Sequence, residues 1–253
     1  MPTAATERPE LWLFASVPHH ALVEMAAYLG MDGVILDDEK VHVGPDAMQA
    51  MFLAAEKHNL ATKVRLREST ASRIEYILSL GANAILLPRL EGAANVKAAI
   101  GSTRFPSTGT RGLGHSRATA YGLHQTWQQI LDGSGEPVRV EVIVETRELL
   151  DEIDAVAANE DVHGLDIGLL DLSAALGQPG ATGAPEVQAA IDTVIAAARQ
   201  VGKPVGMSVG SPAAATEMWG RGLTSLVLDA ATLIKFGLNE FRGALDGDAP
   251  ARN

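Results

Sequence analysis

Short apolar runs rich in Val, Ile and Leu recur along the chain, and between most of them apolar positions repeat close to every 3.6 residues. The runs predict strands over residues 11–16, 33–37, 61–66, 84–88, 139–145, 164–169, 204–209 and 225–228. The periodic stretches predict helices over 20–29, 45–58, 71–80, 92–100, 147–157, 185–201, 212–221 and 231–245. Eight strands alternating with eight helices is an α/β pattern, that of a single (β/α)8 TIM barrel over 1–253, with tails at 1–10 and 246–253. The runs are continuous rather than alternating, as expected of parallel strands buried on both faces. Gly30, Gly81, Gly202 and Gly222 each follow a predicted helix as stop signals.

One unit organises the rest. The apolar runs 140–144 and 165–170 flank a helical stretch, and each ends on a carboxylate, Glu145 and Asp171. In a βαβ unit the strands lie parallel, so their C-terminal ends, and these two acids, share a rim. Barrel chemistry sits at that rim. The other predicted strands bring Asp37, Asp38, Glu39, Lys40 and His42 to it from strand two and Arg65 from strand three. They add Pro88 and Arg89 from strand four, Ser208 from strand seven and Asp229 from strand eight. Two hard oxygen ligands with no cysteine nearby suit Mg²⁺ or Mn²⁺ better than zinc. A cation would polarise a carbonyl and an arginine fork would grip a carboxylate, which is what a metal-assisted site for a small carboxylate would need.

Each residue also has a plainer reading. Asp171 can cap the next helix, and Lys40 and His42 can be solvated loop residues. Arg65 lies within an apolar strand, where an uncompensated charge is costly, and Asp37 can be its structural partner. His19, His20, His58, His124 and His163 show no metal-ligand spacing, and the glycines of 109–114 do not follow a strand into a helix as a nucleotide loop requires.

Composition narrows the class. A hydrophobic share of 47% is ample for a barrel core, and a net charge of −11 argues against nucleic acid or an anionic membrane as partner. There is no cysteine, which excludes disulfides, thiolate metal sites and thiol nucleophiles. The N-terminal residues carry no basic region followed by an apolar core, and no apolar run approaches the roughly 18–20 residues of a membrane span. A cytoplasmic enzyme or binding protein is the expectation. The polar, glycine-rich stretch 103–122 breaks the rhythm, and its Arg111, His115 and Arg117 are expected either to reach over the catalytic rim or to form a surface excursion or subunit contact.

The segments GMDGVILDDEK, KVRLREST, LGANAILLPRLEGAANV, TRFPSTGTRGLGHSRA, ETRELLDEIDAV, HGLDIGLLDLSAALG, PEVQAAI and GKPVGM run collinearly from Leu11 to Leu245 and resemble the HpcH/HpaI aldolase family of class II pyruvate aldolases. The resemblance implies a barrel of the phosphoenolpyruvate/pyruvate-binding type and reversible aldol cleavage of a 2-oxo-4-hydroxy acid through a pyruvate enolate. It implies that Glu145 and Asp171 are metal ligands, and that Arg65 and the backbone amides around Leu170 and Asp171 hold the pyruvate carboxylate. Asp37 matches the acid that opens the family's Asp-Gly-Glu-His motif. Assembly as a homo-oligomer, a trimer or hexamer, is also implied, and the apolar positions of 233–245 fit such packing.

The departures bear on function. Lys40 stands where the family motif has its histidine, Asp38 where it has glycine, and Gly168-Leu169-Leu170-Asp171 where it has Gly-Pro-Ala-Asp. Ser79 replaces an aspartate and Ile143 a polar residue. Lysine is a poor base near neutrality unless burial lowers its pKa, so His42 is the other candidate. The added positive charge favours a substrate with a second carboxylate or phosphate, such as an oxaloacetate-like dicarboxylate. Two other functions fit the same residues: citrate-synthase-like condensation of an acetyl thioester with oxaloacetate, and a barrel that binds a 2-oxo acid without catalysis.

Overall fold

The continuous apolar runs form the staves of a closed barrel. The computed structural model describes residues 8–106, 108–132 and 138–246. Its strands are β1 (Glu10–Ala15), β2 (Gly33–Asp37), β3 (Ala61–Arg65), β4 (Ala84–Leu87), β5 (Arg139–Val144), β6 (Gly164–Ile167), β7 (Val205–Ser208) and β8 (Ser225–Asp229). They pair in sequence order, all parallel, and β8 closes on β1. This is the (β/α)8 TIM barrel that the sequence pattern predicts.

The outer helices are α1 (His20–Tyr28), α2 (Pro45–Lys57), α3 (Ala71–Ser79), α4 (Ala93–Gly101), α5 (Trp127–Leu131), α6 (Arg147–Asp151), α7 (Ile153–Ala158), α8 (Leu169–Ala175), α9 (Pro185–Gln200), α10 (Pro212–Arg221) and α11 (Ala230–Asp246). Local chemistry sets their ends. The hydroxyls of Thr70, Thr146 and Ser211 accept amide hydrogens in the first turns of α3, α6 and α10. Proline opens α2, α9 and α10. The core fills the layer between barrel and helices, with Val34, Leu36, Val64, Ile85, Val142 and Val144 pointing outward into it.

Residues of opposite parity point into the barrel. Trp12, Ile35, Leu86, Ile143 and Val227 form a small apolar plug with Phe14 against it. Below the plug the lining is charged: Lys63 Nζ donates to Glu141 at 2.7 Å and sits 3.8 Å from the Trp12 ring centre. Gly33 faces that ring so closely that a side chain there would overlap it.

The structure departs from the sequence reading, or decides between its alternatives, at four places. The predicted helix 147–157 is broken at Glu152, whose carboxylate turns to accept the Ala93 amide at 2.7 Å. The strand predicted to end at 169 ends at Ile167, and α8 follows, carrying Asp171 in its first turn. The stretch 103–122 does not reach the catalytic rim. It leaves the end of α4, folds back on Gly101, ties Arg117 to Glu56 near the end of α2, and returns to the start of β5 at the opposite rim. Finally, Glu10 begins β1 and Arg8 pairs with Asp32, so the described part of the expected N-terminal tail is anchored. Residues 1–7 and 247–253 of the expected tails lie outside the described residues. Among the described residues, no helix is long and apolar enough to cross a membrane.

Candidate active site

Glu145 is the first residue beyond β5 and is buried among the strand ends. Its Oε1 accepts the backbone N–H of Arg89 at 2.7 Å. Arg89 adopts a left-handed backbone (φ 55°), a conformation that non-glycine residues seldom take and that recurs at functional sites. On the other side lies Gly168, where a Cβ would fall 2.8 Å from both Glu145 Cβ and Oε2. The next turn is α8, whose third residue is Asp171. Burial raises the Glu145 pKa, the Arg89 amide works against that rise, and the charges of Asp171 and Glu39 add to it. The two carboxylates predicted to converge are therefore close enough to feel each other's charge.

Asp171 does not cap its helix. That position is Gly168, and the Asp171 carboxylate makes no hydrogen bond or ion pair among the described residues. The first hydrogen bond of α8 runs from Leu172 N–H to Gly168 O at 2.8 Å. The amides of Leu169, Leu170 and Asp171 precede it, so they lie ahead of the helix's own ladder. Leu170 itself is exposed.

Arg65 ends β3. Its Nε donates to Asp37 Oδ1 at 2.8 Å, its Nη1 lies 3.3 Å from Glu39 Oε2, and Phe14 flanks its guanidinium. Burial opposes its charge, but Asp37 and Glu39 outweigh burial and raise its pKa. Asp37 also accepts the amides of Glu39 and Lys40, at 3.0 and 3.2 Å, and so shapes the turn after β2. It is fully enclosed, which makes it a positioning group.

Glu39 gathers three cations: Arg65, Lys40 Nζ at 2.9 Å and Arg89 Nη2 at 2.5 Å. Lys40 and Arg89 are mostly exposed and rim the site. Asp38 points elsewhere and pairs with Arg67 and Arg73. The glycine-to-aspartate departure is thus a structural ion cluster beside the site. His42 is exposed and joins none of these interactions among the described residues. Ser208 ends β7, exposed at the same rim. Asp229 accepts the Thr232 amide at 2.8 Å and so caps the start of α11.

The carboxylates fit a hard divalent cation. Neither Glu145 nor Asp171 meets a cationic side chain within ion-pair distance among the described residues, although the charge of Arg89 reaches Glu145 and opposes the rise in its pKa. Those residues contain no cluster of three or more metal-ligating side chains. Two carboxylates with the remaining positions left to water and substrate is how Mg²⁺ is commonly held.

Sequence reasoning placed Arg89 at the rim but missed the polar interior, Lys63, Glu141 and Asp166, although a signal existed for two of the three. Lys63 shares the inward parity of Arg65 on β3, and Glu141 that of Glu145 at the end of β5.

Known proteins share this architecture. The model of the HpcH/HpaI aldolase/citrate lyase family matches residues 10–220. A hydroxypyruvate/pyruvate aldolase of Pseudomonas aeruginosa is 32% identical over 245 residues, covering 95% of this chain and 89% of its own length. An HpcH/HpaI aldolase/citrate lyase family protein from Burkholderia cenocepacia J2315 superposes with a TM-score of 0.84 at 29% identity, over 95% of this chain and 94% of that one. The citrate synthase SbnG shares the fold with a TM-score of 0.78 at 22% identity, over 96% of each chain.

Proposed function

This chain belongs to the HpcH/HpaI aldolase/citrate lyase family, and from that membership we propose that it is a carbon–carbon lyase cleaving a 2-oxo-4-hydroxy acid through a pyruvate enolate, with Mg²⁺ or Mn²⁺. The observation that carries the reading is the Glu145–Asp171 pair, with no direct ion-pair partner among the described residues, beside an arginine aimed by two acids.

Glu145 and Asp171 would hold the cation. When bound, it polarises the 2-oxo carbonyl, which favours the enolate over the parent acid. Arg65 grips the 2-oxo acid's carboxylate together with the amides around Leu170 and Asp171. Asp37 fixes Arg65 and the turn of Glu39 and Lys40, and Ser208 lines the pocket from β7. Cleavage removes the 4-hydroxyl proton and breaks the C3–C4 bond, releasing an aldehyde; the enolate then takes a proton at C3 to give pyruvate. Lys40 is committed to Glu39, so we assign proton transfer to His42, which carries no such pairing among the described residues. Lys40 and Arg89 supply positive charge at the mouth, which favours an aldehyde half bearing a carboxylate or phosphate.

We also propose a homo-oligomer, a trimer or hexamer. Its support is α11, which leaves Ile234, Phe241 and Leu245 exposed along one helix, an apolar stripe that a neighbouring copy could cover.

Pyruvate release from 4-hydroxy-2-oxo acids tests the assignment. Arg65→Ala should lower kcat/KM by about 10²–10³-fold, the scale of one lost donor to a developing oxyanion. Glu145→Ala or Asp171→Ala should abolish calorimetric Mn²⁺ binding. If all three variants keep full activity, the site lies elsewhere. Condensation of an acetyl thioester with oxaloacetate, with no aldol cleavage, would favour the citrate-synthase-like reading instead.

A further inference from the structure

A cavity of about 490 Å³ opens at the N-terminal rim, the end of the barrel opposite Glu145. The end of α4, Thr103 to Phe105, Thr108, Arg111, α5 and the start of β5 wall it in. Val140, at its floor, is five residues before Glu145, roughly 16 Å along the strand at ~3.3 Å per residue. The cavity is therefore separate from the catalytic rim.

Arg111 lines it and is only 8% exposed. Its side chain makes no hydrogen bond or ion pair among the described residues; it lies over the Phe105 ring, 4.5 Å from the centre. Burial pushes its pKa down, and the charge of Glu75, whose carboxylate lies against the neighbouring Gly112, offsets this in part. The neighbouring cation, Arg104, is already paired with Asp161. A buried guanidinium with no direct ion-pair partner is costly in any fold, because a more distant charge repays desolvation only in part. Thr103, Thr108, Gln125 and His163 also line the cavity and add hydrogen-bonding groups around the charge.

We propose that this cavity binds a small organic anion whose carboxylate or phosphate pairs with the Arg111 guanidinium. The planar fork suits either group in a two-point contact. The reaction at the other rim does not need the site, so an anion bound here acts on stability or regulation rather than as substrate.

The test is thermal unfolding of the full chain with inorganic phosphate, and separately with malonate, for the native protein, Arg111→Met and Arg65→Met. With either anion at 100-fold its Kd, the native midpoint should rise by about 5–10 °C. Arg65→Met, altered only at the catalytic rim, should keep the rise, and Arg111→Met should lose it. A response to phosphate alone or to malonate alone identifies the group recognised. If Arg111→Met does not fold, Arg111→Lys keeps the charge without the fork and should bind at least ~10-fold more weakly. The proposal is overturned if the native midpoint shows no saturable rise with either anion, or if Arg111→Met, or failing that Arg111→Lys, responds as the native protein does.

Discussion

Gly168 shapes the site by lacking a side chain. A methyl group there would press on Glu145 Cβ and Oε2 at 2.8 Å, and its backbone (φ −79°) is one that alanine adopts freely, so packing alone is at stake. Gly168→Ala should therefore cost about 1–3 kcal/mol by overpacking, read from the urea midpoint, and should depress activity further by tilting Glu145. Wild-type stability and turnover in that variant would contradict the packing. Asp166 carries a second prediction. It lies inside the barrel, where burial raises its carboxyl pKa to about 7; Lys63 and Arg65 oppose the rise, and Glu141 and Glu145 add to it. Between its ordinary value of 3.8 and about 7, the folded chain keeps a proton that the unfolded chain has released. Stability should fall as pH rises across that window and level off above it. Asp166→Asn should flatten this dependence, gaining stability at pH 8 relative to the native chain and little at pH 4. An unchanged difference between denaturant midpoints at pH 5 and pH 8 would argue against the assignment.

At the scale of elements, strand parity did most of the work, and the sequence showed more of it than a search for apolar runs detects. Glu145, Asp171 and Arg65 were legible because each sits where a strand's apolar run stops or is interrupted. Asp166, Lys63 and Glu141 were not, because a charge inside a barrel contradicts the expectation of an apolar core until its partner on another strand is known. The Lys63–Glu141 bridge spans β3 and β5, far apart in sequence. Breaking it with Lys63→Met should destabilise by about 3–5 kcal/mol, whereas Lys63→Met with Glu141→Leu should recover most of the loss; a double variant no better than the single one would show the pair is not coupled. The broken helix 147–157 has a similar cause. Periodicity favours one helix, but Glu152 is drawn to the Ala93 amide at the start of α4, a long-range contact that no local pattern encodes. The 103–122 stretch was polar enough to mark as unusual, but polarity could not decide between its two expected courses, because it does not say which rim a loop returns to.

For the whole molecule, the barrel order and the family membership came straight from the alternation of elements and motifs, whereas assembly did not. α11 exposes Phe241 and Leu245 at 74% and 84%, and the helical period that buries one face of an eighth barrel helix also serves a neighbour. If the oligomer proposal holds, Phe241→Asp with Leu245→Asp should shift sedimentation to smaller species while leaving the circular dichroism of the barrel intact. A native protein that sediments as a monomer would remove the proposal. The net charge of −11 sets the remaining large-scale constraint. An anionic substrate must overcome the molecule's overall field, so Arg65, Lys40 and Arg89 have to supply attraction locally.

The central claim, that the chain makes a pyruvate enolate with a cation held by Glu145 and Asp171, is tested most directly by deuterium exchange into the methyl group of pyruvate. Proton NMR would follow the exchange in D₂O with Mg²⁺ or Mn²⁺, and again with EDTA. The account predicts exchange with the metal, none with EDTA, and none with Glu145→Ala under either condition. Exchange that persists in EDTA, or in Glu145→Ala, would contradict the role given to the two carboxylates. No exchange under any condition would contradict the enolate itself.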